Sequence, residues 1–244
     1  MCTVTVVPSP HDGAVRVLMN RDERRLRPVA HPPAVHPTGM VQAIWPTDPE
    51  GGGTWIAATD AGLVLMMMNV NGSRRAAELL SRGLLIPMLA GAGSLDHLCR
   101  LWEQLDATAF APFRLVAVTR EHLAVCTAAQ REPMLTGIRG AHLFASSSLG
   151  DSEAESARGE LFAQMLCTEI DPWAAQTRLH QHAWPDRRHL SVMMSRVEAC
   201  TVSQTEVVLT KTSVSVKYRP VVDGWPVTTT ERTLAVRSAA SRAA

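Results

Sequence analysis

Residues 1–7 (MCTVTVV) and, after a turn, residues 15–23 (VRVLMNRDE) are the two stretches that decide the fold. Both are rich in β-branched residues, and the segment between them carries Pro, Asp and Gly. This pattern predicts a hairpin of two strands. Cys2 starts the first strand, and the second strand ends in Arg21 and Asp22. These two residues supply the charges needed to orient an amine and a thiolate.

Cys2 is small enough to permit removal of the initiator Met1, which would make it the mature N-terminus. Cys2 would then carry both a thiol and a free α-amine. An α-amine has a pKa of about 7.7–8.0 and can act as a base near neutral pH. Nearby cations lower the pKa of a thiol. Nucleophile and base would therefore lie in one residue, as in hydrolases that activate the nucleophile with an N-terminal amine.

Composition excludes several classes of function. The net charge of the 244 residues is +1, which gives no electrostatic case for nucleic acid or an anionic membrane as a partner. No segment has the roughly 18 consecutive apolar residues of a spanning helix, so we predict no transmembrane segment. The start of the chain lacks the pattern of a secretory signal. The five cysteines are irregularly spaced, which is typical of free thiols in a reducing cytoplasmic setting.

The order of predicted elements is strands, two helices, strands, two helices, strands. Residues 24–50 are rich in Pro and His and are predicted as loop, with at most a short strand at 41–45. The remaining predicted strands are 54–59, 63–69, 113–119, 122–127, 142–147, 201–209 and 214–218. Four helices are predicted. They are 74–89, 95–105, a third that begins at Ser152 or Ser156 and runs to about 167, and 172–182. The second is capped by Ser94.

This order disfavours a doubly wound parallel sheet, because helices do not alternate singly with strands. Residues 63–68 form a continuous apolar run, which indicates a strand buried on both faces. Two antiparallel sheets with a helix pair on each outer face would bury it. We therefore predict an α+β fold, a four-layer αββα sandwich in one domain over residues 1–232. Residues 233–244 show no periodicity and are predicted to be a disordered tail.

Several short motifs resemble, in order, those of the NRDE family, which includes the transport and Golgi organisation 2 proteins. The likeness covers about residues 1–220 and is strongest over 1–70. Its motifs are Met1-Cys2, NRDE at 20–23, Arg27-Pro28, GGTW at 52–55, Gly62-Leu63, Asn69, Arg82-Gly83, FRL at 113–115 and residues 205–209. The resemblance implies an N-terminal nucleophile hydrolase-like sandwich, in agreement with the element order.

The resemblance also implies roles for individual residues. Cys2 would be the nucleophile, and Arg21 would lower the pKa of its thiol. Asp22 would hold the α-amine of Cys2, and Asn69 would donate a hydrogen bond to an oxyanion. Related proteins place an Asn after a Ser near position 146. Ser147 stands there in this chain and is a shorter candidate donor.

Two functional hypotheses follow. The first is a cysteine hydrolase that cleaves the carbon–nitrogen bond of a small-molecule amide. It is favoured by the complete set of Cys2, Arg21, Asp22 and Asn69. The second is a non-catalytic protein of the same fold that binds a hydrophobic ligand, haem or lipid. It is favoured by the changed residues at 146–148 and by the sequence at 200–202, where the resemblance implies an Arg.

Other clusters are interpreted as structural. The histidines at 180, 182 and 189 fit no zinc spacing. Gly51–Gly53 lacks the Lys-Ser/Thr of a phosphate loop and precedes a strand, so a turn is preferred. We predict no cofactor and no metal site. The sequence carries no signal for oligomeric state.

Overall fold

A computed structural model describes residues 2–70, 79–130 and 132–237. Within these ranges the chain forms two antiparallel sheets and four α-helices. The strands are β1 (Cys2–Pro8), β2 (Val15–Arg24), β3 (His31–Thr38), β4 (Val41–Thr47), β5 (Ile56–Thr59), β6 (Val64–Asn69), β7 (Phe113–Val118), β8 (His122–Thr127), β9 (Met134–Gly137), β10 (His142–Ser146), β11 (Ala199–Leu209), β12 (Ser213–Val222), β13 (Trp225–Pro226) and β14 (Thr230–Ala235). The helices are α1 (Leu85–Leu89), α2 (Leu95–Gln104), α3 (Asp151–Thr168) and α4 (Pro172–Gln181).

The first sheet has the strand order β10-β1-β2-β11-β12, and both β13 and β14 pair with β12. The second sheet has the order β3-β4-β5-β6-β7-β8-β9. Helices α3 and α4 contact the first sheet, and α1 contacts β6 of the second sheet. The predicted α+β sandwich of two antiparallel sheets is confirmed.

The apolar run at 63–68 is buried on both faces, as the sequence predicts. Because successive side chains of a strand point to opposite faces, alternate residues enter different apolar layers. One set packs between the two sheets: Val64, Met66 and Met68. The other set packs beneath α1 and α2: Leu63, Leu65 and Met67.

The prediction of a loop over residues 24–50 is wrong for residues 31–38, whereas the short strand predicted at 41–45 is confirmed as part of β4. Strands β3 and β4 form an antiparallel hairpin there, and Thr38 pairs with Val41 at its turn. The proline-rich sequence hid β3 because proline removes a backbone donor. As the edge strand of its sheet, β3 needs donors on one side only, and prolines are tolerated in that position.

The predicted helix at 74–89 is confirmed only over its last part, Leu85–Leu89, and is wrong for residues 79–84. Residues 74–78 lie outside the described residues. Beyond them the chain forms a 3₁₀ turn at Arg82–Leu84 and then the short helix α1. The carbonyl of Gly83 accepts a hydrogen bond from the backbone N–H of Thr54 at 2.9 Å. This carbonyl therefore bonds to a distant segment of the chain. A side chain on Gly53 would meet the backbone of Gly83 at 2.4 Å, which explains the glycine at position 53.

The C-terminal segment is ordered further than the sequence predicts. Strand β14 runs to Ala235 and pairs along β12, with Ser213 opposite Ala235. The tail predicted from residue 233 is therefore wrong for residues 233–235, because the ladder satisfies their backbone groups. Residues 238–244 lie outside the described part of the chain. No helix in the described part is long and apolar enough to span a membrane.

Candidate active site

Cys2 lies at the beginning of β1, between two neighbouring strands. Its cross-strand partners are Ser146 on β10 and Arg21 on β2. The side chain is almost fully buried, with 6% of the residue exposed. The backbone nitrogen of Cys2 donates to Ser146 Oγ at 3.0 Å. A hydroxyl is therefore within hydrogen-bond reach of the atom that would become the α-amine.

A cavity of about 430 Å³ opens at this end of the sandwich. Cys2, Arg21, Asp22 and Asn69 all line it, so the structure brings these four sequence-predicted residues to one place. Ser147 is not among its lining residues. Apolar residues also line the cavity: Trp55, Met67, Leu79, Leu80 and Ala111.

Arg21 is held against the cavity wall by an aromatic ring and two carboxylates. Its guanidinium carbon lies 4.2 Å from the centre of the Trp55 ring. One of its nitrogens is 2.6 Å from a carboxylate oxygen of Asp48 and 3.3 Å from one of Glu23. Asp48 also accepts two hydrogen bonds from Arg27. These carboxylates partly neutralise the charge of Arg21, which weakens its effect on the thiol of Cys2.

The surroundings of Cys2 favour the neutral thiol over the thiolate. Burial raises its pKa above the ordinary value. The positive charge of the amino terminus lowers the pKa, the negative charge of Asp22 raises it, and Arg21 lowers it. Arg21 thus acts in the direction that the resemblance implies, but burial has the larger effect. A buried thiol of this kind needs a base to ionise when it reacts.

Asp22 is buried on the face of β2 that is turned toward the helix layer. Its carboxylate accepts a hydrogen bond of 2.6 Å from Thr201 Oγ1. A β-bulge between Thr201 and Ser203 brings Thr201 opposite Asp22. Burial raises the pKa of Asp22, while Arg158, the amino terminus and the Thr201 hydrogen bond lower it.

Asn69 lies at the end of β6 and lines the cavity from the second sheet. It is paired with Phe113, which packs beneath the helices of that sheet. Strand alternation therefore places Asn69 on the same face as Met67, whereas Met68 faces the first sheet. Asn69 therefore faces the same side of its sheet as Met67, which also lines the cavity.

Ser147 follows β10, and its hydroxyl is held by hydrogen bonds to loop residues. Its hydroxyl accepts hydrogen bonds from Arg196 at 3.0 Å and from the Leu149 backbone at 3.2 Å. Arg196 also donates to Ser148 Oγ at 2.9 Å. In the sequence Arg196 lies out of register with the arginine that the resemblance implies. The structure brings it to Ser147 because it belongs to the loop before β11.

These features agree with a match to a known family. The family model of transport and Golgi organisation 2 matches residues 1–171. The chain belongs to this family. No protein of curated function matches the chain by sequence.

Solved structures similar to this family member share its fold at low sequence identity. Penicillin V acylase from Agrobacterium tumefaciens is 11% identical, with a TM-score of 0.55, over 90% of this chain and 83% of its own. A cysteine-to-alanine mutant of conjugated bile acid hydrolase from Clostridium perfringens is 8% identical, with a TM-score of 0.52, over 98% of this chain and 97% of its own. Both are N-terminal nucleophile hydrolase folds, so the predicted fold is confirmed.

In this member of the transport and Golgi organisation 2 family, Asn20 and His180 form a buried structural network. Asn20 Oδ1 is 2.9 Å from His180 Nδ1 and accepts from Gln204 at 3.1 Å. His180 Nε2 is 2.8 Å from Thr5 Oγ1. Burial lowers the pKa of His180 to about 3, so this imidazole is neutral. Within the described residues, no group of three or more His, Cys, Asp or Glu is arranged to hold a metal ion.

Several residues that the structure places here are not assigned site roles from the sequence. They are Asp48, Trp55, Ser146, Arg158 and Thr201. Trp55 and Ser146 lie within motifs that the resemblance uses, so a signal existed for those two. Arg158 is on α3, and no local sequence signal marks it.

Proposed function

We propose that the chain is an N-terminal cysteine hydrolase that cleaves the carbon–nitrogen bond of a small amide. The observation that carries this proposal is the position of Cys2. It begins a central strand, lines a cavity, and has its backbone nitrogen 3.0 Å from Ser146 Oγ. The similar structures are named as an acylase and a hydrolase of a conjugated acid, which supports acyl transfer as the reaction class.

Removal of Met1 would turn the Cys2 nitrogen into an α-amine beside the thiol. The thiol is protonated at rest because burial raises its pKa, so a base must take its proton. An α-amine with a pKa of about 7.7–8.0 suits this role near neutral pH. Ser146 would accept a hydrogen bond from this amine, and Asp22 would balance its positive charge.

The reaction would proceed through an acyl-enzyme. Cys2 Sγ attacks the carbonyl carbon while the thiol proton passes to the α-amine. The carbon–nitrogen bond then breaks, and the leaving amine takes that proton. Water attacks the resulting thioester, gives one proton back to Cys2 Sγ and releases a carboxylic acid. Asn69 is the candidate donor to the oxyanion, where a correctly placed amide is worth about 3–4 kcal/mol.

The test combines intact mass with an acyl probe, p-nitrophenyl acetate. We expect the purified chain to lack Met1 and to gain one acetyl group on Cys2. Cys2→Ala should abolish this adduct. The matched control is Cys167→Ala, because Cys167 is an exposed thiol on α3 and sets the background reactivity. Retention of Met1, or equal labelling of Cys2 and Cys167, would contradict the proposal.

A form with one glycine left before Cys2 separates the thiol from the amine. This form keeps the thiol but converts the Cys2 nitrogen into a peptide nitrogen. If the α-amine is the base, acylation should fall at least about 100-fold, within the range of general-base contributions. Unchanged acylation would show that another group takes the proton.

The second candidate function is binding of a hydrophobic ligand, haem or lipid, in the same cavity. Its specific support is the apolar part of the cavity lining, which includes Trp55, Met67, Leu79 and Leu80. No histidine is among the described lining residues, so Cys2 would be the soft ligand for a haem iron. A haem titration that gives a Soret shift in the wild type but not in Cys2→Ala would support this function. An absent shift excludes the haem version.

A further inference from the structure

Arg158 is a buried cation for which the proposed reaction has no role so far. It lies on α3 and is completely buried. Its Nη1 donates to Thr3 Oγ1 at 2.7 Å. Its Nε and Nη2 donate to the carbonyls of Leu190 and Ser191, both at 3.0 Å. All three acceptors are neutral, and within the described residues no ion pair joins this guanidinium to a carboxylate.

A completely buried charge needs compensation, because its removal from water is costly in free energy. Three neutral hydrogen bonds satisfy the donors but do not balance the charge. Burial lowers the pKa of the Arg158 guanidinium, and the negative charge of Asp22 is the largest effect that raises it. Thr3 pairs with Asn20 across the ladder, and Asp22 is two residues beyond Asn20 on the same face. Diagonal neighbours in such a ladder are about 7–8 Å apart. Asp22 is therefore about this far from Thr3, the residue that Arg158 contacts.

The position of Arg158 also connects it to the candidate nucleophile. Thr3 directly follows Cys2, and its side chain points to the helix layer while that of Cys2 points into the sandwich. The loop that supplies Leu190 and Ser191 also supplies Val192, whose carbonyl accepts from Thr201 Oγ1 at 3.3 Å. Thr201 in turn holds Asp22. One guanidinium therefore ties the first strand, the loop and the Asp22 support together.

We propose that Arg158 is a positioning residue for Cys2, which fixes the start of β1 from the helix side and balances the buried Asp22 carboxylate. The effect of Arg158 on Cys2 reactivity rests on the proposed function. Its effect on the charge of Asp22 does not depend on enzymatic activity. The other charged or titratable groups near Asp22 are Arg196, Cys2, Cys200 and the amino terminus. His180 is the further titratable group near Arg158.

Two substitutions separate charge from geometry. Arg158→Lys keeps the charge but cannot reach Thr3 and both carbonyls with one planar group. Arg158→Met removes the charge as well. Arg178→Lys is the matched control, because Arg178 is an exposed arginine on the adjacent helix α4 and pairs with Glu169.

The first readout is the titration of Asp22, followed by NMR of chains with carbon-13-labelled aspartate and assigned with Asp22→Asn. In Arg158→Met we expect the titration midpoint to rise by about one pH unit or more, because an attractive charge is lost. In Arg158→Lys and in the control it should stay close to the wild-type value. A residue with a purely structural role would not move this midpoint.

The second readout is the rate of Cys2 acylation by p-nitrophenyl acetate. Arg158→Lys should acylate at least about tenfold more slowly than the wild type, because small displacements of a nucleophile are costly. Arg178→Lys should match the wild type. If Arg158→Met does not fold, Arg158→Lys decides, and a wild-type acylation rate in that variant overturns the positioning role. An unchanged Asp22 midpoint in folded Arg158→Met overturns the electrostatic role. If the wild type itself is not acylated, the proposed function fails while the titration still tests Arg158.

Discussion

The two sheets meet their helix layers through opposite chemistry. Beneath α1 and α2 the second sheet presents a continuous apolar surface, which includes Leu65, Phe113, Leu115 and Ala117 against Leu89 and Trp102. Beneath α3 and α4 the first sheet presents hydrogen-bonded polar groups beside a small apolar cluster. Its polar pairs join Thr3 to Arg158, Thr5 to Gln176 and His180, and Asn20 to Gln204 and His180.

The two kinds of layer constrain the sheets differently. Apolar contacts are non-directional, so a layer held by them tolerates small shifts. Hydrogen bonds have narrow ranges of distance and angle, so a satisfied buried network fixes one arrangement. Cys2, Arg21 and Asp22 belong to the sheet held by the polar network. We infer that this network sets the geometry of the candidate site, whereas the apolar layer mainly contributes stability.

The largest effect is expected from truncation in the apolar layer. Phe113→Ala should lower the free energy of unfolding by about 3–5 kcal/mol, because it leaves a cavity in a close-packed layer. Phe113 is 1% exposed and contacts the rings of Trp102 and Phe110 edge-on. Urea unfolding measures the change, and Phe113→Leu should cost less. Equal losses for both variants would show that the layer is not close-packed here.

A smaller but more specific effect is expected from Asn20→Leu in the polar network. This change leaves the N–H of His180 Nδ1 without its acceptor, at about 1–3 kcal/mol for an orphaned buried group. It should also slow acylation of Cys2, which Phe113→Leu should not. Unfolding and acylation are measured on the same preparations. A loss of stability without any loss of acylation would separate the polar network from the site.

The pH dependence of stability should distinguish the two layers. His180 has a pKa of about 3 when folded, against an ordinary value of 6.5. The unfolded chain therefore binds a proton that the folded chain does not between these values. The stabilising contribution is complete above the ordinary pKa and falls as the pH drops, by about 1.4 kcal/mol per pH unit.

Urea unfolding at several pH values should reveal this slope, and His180→Gln should flatten it. His122→Gln, which changes an exposed histidine on β8, is the matched control for the loss of a histidine. An identical slope in the wild type and His180→Gln would show that His180 can be protonated in the folded chain.

The smallest effect is expected from a volume-conserving change in the apolar layer. Leu65→Met should cost less than about 1.5 kcal/mol, because methionine fills a similar space. The matched change in the polar layer is Gln176→Met. Gln176 donates to Thr5 Oγ1 at 2.9 Å and is completely buried, so its replacement should cost more. Equal costs by thermal unfolding would remove the proposed difference between the two layers.

Much of the fold follows from local patterns. The hairpin of β1 and β2, the double burial of β6 and the Ser94 cap of α2 were all predicted from residues close together in the chain. Strand β3 was missed because its prolines mask an edge strand, and the helix at 74–89 was overestimated because the contact between Gly53 and Gly83 is non-local. Both errors arise where tertiary contacts override local preference.

The candidate site divides along the same line. The sequence by itself determined that Cys2, Arg21 and Asp22 lie together. In a hairpin, the start of the first strand pairs with the end of the second strand. Only the tertiary structure decided what surrounds them. The bulge that brings Thr201 to Asp22, the Asp48 and Trp55 contacts of Arg21, and the buried Arg158 each join distant segments. Such contacts depend on how the layers pack, and no local periodicity encodes that packing.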